Sequence, residues 1–252
     1  MRLCQLFLAI LSFALLSATN VSAESAYSGP KEKLHIYLLI GQSNMAGRAA
    51  FSEQDAGPLE NCYLLNAKDS WEIAQNPLNR YSTIRKGLGM QKMNPGYTFA
   101  KTLLEEQSGI SIGLVVNAKG GTKIEQWGKG TRFYKDALRR AKAAQETGVL
   151  KGILWHQGES NNGNPDGYLT KLQSLVENLR ADLGSPELPF VAGQVINVPK
   201  INEQIAQLPG KVSNTAFVSS EGLKGQDRWH FNTESMKELG KRYATAILKL
   251  TK

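Results

Sequence analysis

Leu34-His35-Ile36-Tyr37-Leu38-Leu39-Ile40-Gly41-Gln42-Ser43-Asn44-Met45-Ala46-Gly47 joins an aliphatic run of strand length to a small polar cluster framed by two glycines. The chain is expected to leave that strand through a tight turn and enter a short helix. Ser43 then stands near a helix N-terminus, where unpaired N–H groups favour a developing negative charge. A serine in that position is a candidate nucleophile, and its partners must come from the rest of the chain.

Upstream, Arg2, the apolar run 6–16 and Val21-Ser22-Ala23 have the pattern of an export signal cleaved after Ala23. The run is shorter than the roughly 20 residues a membrane span needs, and no other segment could cross a bilayer. Secretion, to a periplasm or outside the cell, is therefore expected for the mature chain of 252 − 23 = 229 residues. That length suits one α/β domain covering 24–252.

Cys4 leaves with the signal, so Cys62 is the single remaining cysteine and no internal disulfide can form. Cys62 lies in a strand-like run and is read as a buried small apolar residue. The formal charge is +8, or +7 once Arg2 is removed. Lys and Arg are scattered except around Lys135, Arg139, Arg140 and Lys142, and no basic stripe alternates with aromatics. The pattern reads as a solvated basic surface and not as a nucleic-acid site.

Further strands are expected at 60–65, 110–117, 149–156 and 188–195, with a short edge strand at 216–219. Helices are expected at 97–107, 133–146, 168–183, from Pro199 to about 208, and at 233–250. This alternation implies an α/β fold with a mainly parallel five-stranded sheet covered on both faces. The polar segments 48–59 and 69–93 read as insertions that shape the mouth of a site.

In such sheets, sites form at the carboxyl ends of the strands, and polar residues gather there. Gly41-Gln42-Ser43 ends the first strand and Asn117-Ala118-Lys119-Gly120-Gly121-Thr122 the third. Trp155-His156-Gln157-Gly158-Glu159-Ser160 ends the fourth, and Gly193-Gln194 the fifth. Asp227-Arg228-Trp229-His230-Phe231-Asn232 precedes the last helix.

Acyl transfer by serine needs a base, a carboxylate to orient it, and donors for the oxyanion. His230 is the candidate base, and Asp227, three residues earlier, can hold its Nδ1–H. The N–H groups of Ser43 and Gly121 with the Gln157 side chain are the expected oxyanion donors, each worth about 3 kcal/mol of barrier. Gln42, Asn44, Thr122 and Gln194 are expected to contact substrate. His35 begins a strand at the opposite end, and His156 reads as packed or supporting. No His/Cys cluster has metal-ligand spacing and no phosphate loop appears, so neither metal nor cofactor is expected.

Taken in order, these blocks resemble the SGNH (GDSL-like) hydrolase superfamily, in its sialate O-acetylesterase and acetylxylan esterase branch. The resemblance runs from about residue 34 to 245. It rests on Gly-Gln-Ser-Asn-Met-Ala-Gly at 41–47, Gly120-Gly121-Thr122 with Ile124 and Trp127, Trp155 to Ser160, and Asp227-x-x-His230-Phe231-Asn232. Met45 stands where the α/β-hydrolase elbow Gly-x-Ser-x-Gly would place its last glycine. Asn161-Asn162 departs from the acidic residue that many relatives carry after Glu-Ser.

The resemblance implies a three-layer, flavodoxin-like α/β/α sandwich and an esterase that removes O-acetyl groups from carbohydrate, such as xylan or sialic acid. It leaves two residues for the triad's acid, since in some relatives the glutamate matching Glu159 orients the histidine. Asp227 is the expected acid and Glu159 the support. The competing functions are a lipase or thioesterase on the same scaffold, and a silent carbohydrate-binding protein.

Overall fold

Leu34, Ile36, Leu38 and Ile40 face one side of β1 (Leu34–Gly41), Tyr37 and Leu39 face the other, and both rows are buried. A strand apolar on both faces needs a layer of helices on each, and the chain supplies them. The computed structural model describes residues 26–85, 87 and 89–252; the expected signal at 1–23 lies outside these.

After β1 come a single helical turn α1 (Ser43–Ala46), α2 (Glu53–Ala56), β2 (Cys62–Leu65), β3 (Trp71–Ile73) and α3 (Gly96–Glu106). They are followed by β4 (Ser111–Ala118), α4 (Arg132–Gln145), β5 (Val149–His156), α5 (Tyr168–Asp182) and β6 (Phe190–Gly193). The chain closes with α6 (Pro199–Gln207), β7 (Thr215–Val218) and α7 (Thr233–Leu250). The sheet order is β3-β2-β4-β1-β5-β6-β7, parallel throughout except for the β2–β3 pair. Helices α4, α5 and α6 pack on one face, and α3 and α7 on the other.

The expected sandwich is present, but among the described residues its sheet has seven strands, not five. The edge strand foreseen at 216–219 is β7. β3 lies inside the segment read as an insertion, and three residues are too few to show a period. Pairing makes it a strand: Tyr63, Leu64 and Leu65 oppose Ile73, Glu72 and Trp71. Trp71 is buried, and its Nε1–H donates to Thr147 Oγ1 at 2.8 Å. The basic run on α4 secures this same edge. Arg140 is buried and donates to Leu65 O at 2.7 Å, while Arg139 pairs with Asp69 at 2.6 Å.

Register brings the polar blocks together. Gly41 sits opposite Ala118 on β4 and His156 on β5, so three strands end at one level. At the start of α7, Asn232 Oδ1 accepts the Ser235 N–H at 2.9 Å. A cap of this kind contributes about 1 kcal/mol, and it anchors the loop that carries His230 immediately upstream.

Candidate active site

Gly41 has φ +136°, and a β-carbon there would lie 2.1 Å from His156 O. Glycine therefore lets the chain turn while Gln42 N–H donates to that carbonyl at 2.8 Å. The turn delivers Ser43 as the first residue of α1. Ser43 lines a cleft of about 410 Å³ with Gln42, Arg48, Met90, Gly120, Gly121, Glu159, Ser160, Trp229 and His230. Its Oγ makes no hydrogen bond among the described residues, so the hydroxyl is free to meet a ligand. A larger groove of about 630 Å³, beside α3 and α7, holds lysines and glutamates but neither serine nor histidine.

His230 reaches this cleft from the loop before α7. Its Nδ1 lies 2.8 Å from Asp227 Oδ2, while Asp227 Oδ1 accepts the N–H groups of Trp229 and His230 at 2.8 and 2.9 Å. With a carboxylate at Nδ1 the proton is assigned there, which leaves Nε2 as the acceptor. Burial pushes the Asp227 carboxyl up. The His230 hydrogen bond and the two backbone N–H groups outweigh it and hold the carboxyl below the usual range.

Glu159 is the carboxyl that lines the cleft itself, but it pairs with Asn44 and not with His230. Asn44 Nδ2 donates to Glu159 Oε1 at 2.6 Å, and Glu159 Oε2 is buried without a hydrogen-bond partner. Burial pushes this carboxyl up to about 7; the N–H groups of Glu159 and Gly158 and the Asn44 amide offset only part of that.

Four side chains stand elsewhere than the sequence suggested. Gln157 is fully buried and not among the cleft-lining residues: its Nε2 donates to Gln42 Oε1, Thr122 O and Asn161 Oδ1 at 3.1, 2.9 and 2.8 Å. Those bonds commit its N–H groups behind Gln42, so the amide does not serve an oxyanion directly.

Asn44 and Thr122 are likewise buried, Thr122 bonded to Lys119 O and Trp127 Nε1–H at 3.1 Å each. Gln194 ties Asn202 O to the Ser220 N–H, away from the cleft. All of these occupy strand ends, where residue type alone does not distinguish a brace from a ligand contact.

Gln42 does line the cleft. Its Oε1 is turned inward onto Gln157 Nε2 and the N–H groups of Gly158 and Ser160, leaving its Nε2 without a hydrogen bond among the described residues. Gly121 (φ +75°) has open space where a β-carbon would stand, so a ligand can approach its backbone closely. His156 is packed: it is fully buried, its Nδ1 lies 3.1 Å from the Tyr243 hydroxyl, and burial drives its pKa down to about 3.

Arg48 and Met90 lie in the segments 48–59 and 69–93 expected to shape the mouth, but neither they nor Trp229 were singled out as site residues. Arg48 lines the cleft and donates through Nη1 to Gly47 O and Met90 O at 3.0 Å each. Its position directly after the glycine that ends the first block is the signal that could have marked it. Trp229 stacks beneath the Arg228 guanidinium, 4.5 Å from ring centroid to Cζ.

Residues 33–249 match the family model described as "Carbohydrate esterase, sialic acid-specific acetylesterase". A probable carbohydrate esterase of Arabidopsis thaliana is 33% identical over 239 residues, covering 84% of this chain and 90% of that protein. An X-ray structure of the Arabidopsis protein superimposes with TM-score 0.78 at 30% identity, covering 86% of this chain and 98% of that one.

Two less similar structures share the fold. NanS has TM-score 0.70 at 16% identity, over 88% of this chain and 98% of its own. A carbohydrate acetylesterase of Xanthomonas citri has TM-score 0.64 at 20% identity, over 84% and 55%. Sequence, topology and the cleft at the strand ends agree: the chain belongs to the family of sialic acid-specific acetylesterases and is an SGNH-type carbohydrate esterase.

Proposed function

We propose that this carbohydrate acetylesterase works by serine catalysis: Ser43 attacks the acetyl carbonyl and His230 Nε2 takes the hydroxyl proton. Asp227 holds the imidazole in the required tautomer and stabilises the imidazolium. The N–H groups of Ser43 and Gly121 receive the oxyanion, and the Gln42 amide takes the side-chain donor role expected of Gln157. His230 returns the proton to the departing sugar oxygen. Water, activated by the same base, then splits the acyl-enzyme into acetate and free Ser43.

The single observation that carries this reading is the convergence of Ser43, Gly121 and the His230–Asp227 pair on one cleft. The substrate is an O-acetylated sugar, either a sialic acid or a polysaccharide such as xylan, and the cleft's modest volume favours a short acyl group. Residues 1–23 direct export.

Acetate release is to be measured on acetylated sialic acid, acetylated xylo-oligosaccharides and aryl esters of increasing acyl length. Activity falling steeply beyond acetyl supports the proposal, and a preference for long acyl chains overturns it in favour of a lipase. A mature N-terminus at Glu24 would support the export signal; retention of Met1 in exported protein would contradict it.

A further inference from the structure

We propose that Asn44, the residue after the nucleophile, is a positioning residue that sets His230 against Ser43. This rests on the serine-esterase reading above and adds a device to it. Asn44 belongs to the same helical turn as Ser43, and its side chain has no exposed surface. Its amide is fully used. Nδ2 donates to Trp229 O at 3.0 Å and to Glu159 Oε1 at 2.6 Å, and Oδ1 accepts the Phe231 N–H at 3.2 Å.

Trp229 and Phe231 are the two neighbours of His230. One amide therefore grips the backbone on both sides of the base from the turn that carries the nucleophile. The two backbone partners fix the amide's orientation, because only Oδ1 can accept the Phe231 N–H and only Nδ2 can donate to Trp229 O.

No other side-chain hydrogen bond among the described residues links α1 to the His230 loop. The loop's other ties lead elsewhere: Gln226 N–H to His230 O and Asn232 N–H to Lys224 O within the loop, Lys224 N–H and Asn232 Oδ1 to Ser235 at the start of α7, Asn197 to Arg228 O, and Gln226 to Arg48 O. Without the Asn44 amide, Asp227 still orients the ring and buried Phe231 still holds the loop, but no side-chain hydrogen bond ties the base to the turn that carries Ser43. Misplacement of a catalytic group by about 1 Å costs roughly 100-fold in rate.

The test is a kinetic double-mutant cycle on the full chain, using an acetyl aryl ester. Asn44→Ala is expected to lower kcat about 100-fold with KM changed less than threefold. Phosphonylation of Ser43 by a fluorophosphonate should slow in parallel, because that reaction also needs the base. Acting through His230, the substitution should add almost nothing to His230→Ala, so the double variant matches the single one.

Multiplicative losses in the double variant would overturn the proposal, as would Asn44→Ala at the wild-type rate. If Asn44→Ala does not fold, Asn44→Ser serves: its shorter, uncharged side chain cannot span both Trp229 O and the Phe231 N–H, and it is expected to lose rate to a similar extent. Wild-type activity in His230→Ala would instead defeat the serine-esterase reading itself.

Discussion

Asp227 Oδ2 stands 2.8 Å from His230 Nδ1, while Asp227 Oδ1 accepts the N–H groups of Trp229 and of His230 itself. One carboxylate thus orients the ring and closes the turn that presents it. The spacing Asp-x-x-His achieves this locally, without help from a distant strand.

Asp227→Asn keeps the shape of that turn but loses the charge beside the imidazolium. The expected result is a fall in kcat of about 1,000-fold or more with KM nearly unchanged. Glu159→Gln retains an oxygen for the Asn44 amide and is expected to lose less than tenfold. Steady-state kinetics on both variants decide the triad's acid; the reverse ranking would assign it to Glu159.

Glu159 also makes stability depend on pH. Its folded pKa of about 7 lies above the ordinary 4.5, so between these values the folded state holds a proton that the unfolded state has released. Stability from this group therefore falls as pH rises from about 4.5 to 7 and is level above, with a total of about 3 kcal/mol at most. Glu159→Gln has no such dependence. Urea unfolding at pH 5 and pH 8 should show the variant gaining on wild type at the higher pH, and an unchanged difference would contradict the assignment.

Gly41→Ala tests the turn. The added β-carbon would meet His156 O at 2.1 Å in a left-handed backbone, so strands β1 and β5 must part. A loss of about 3 kcal/mol is expected, read as a drop of roughly 6–12 °C in Tm for a chain of this size. A Tm within 2 °C of wild type would show that the strands adjust freely.

The fold was legible where period and length were: β1, β4 and β5 are eight-residue apolar strands, and α7 shows a long apolar stripe. β3 was not, because pairing with β2 and a buried tryptophan make it a strand, and neither is local. In the site, the meeting of Ser43, Gly121 and His230 at one cleft, with Asp227 at the His230 ring, was readable because their positions follow from strand ends and a turn. Asn44, Gln157 and Thr122 were misread. A buried amide that braces a loop and an exposed one that meets a sugar have the same sequence signature, and burial separates them. Arg48 was legible only as the start of the segment 48–59 and not as an individual residue, because its place depends on contacts with residues 47 and 90.

The most direct measurement is acetate release from an acetylated sugar by the wild type and by Ser43→Ala at equal concentration, with both shown to be folded. The wild type is expected to turn over, and Ser43→Ala to lose about 1,000-fold or more. Wild-type acetate release by Ser43→Ala would contradict the serine mechanism.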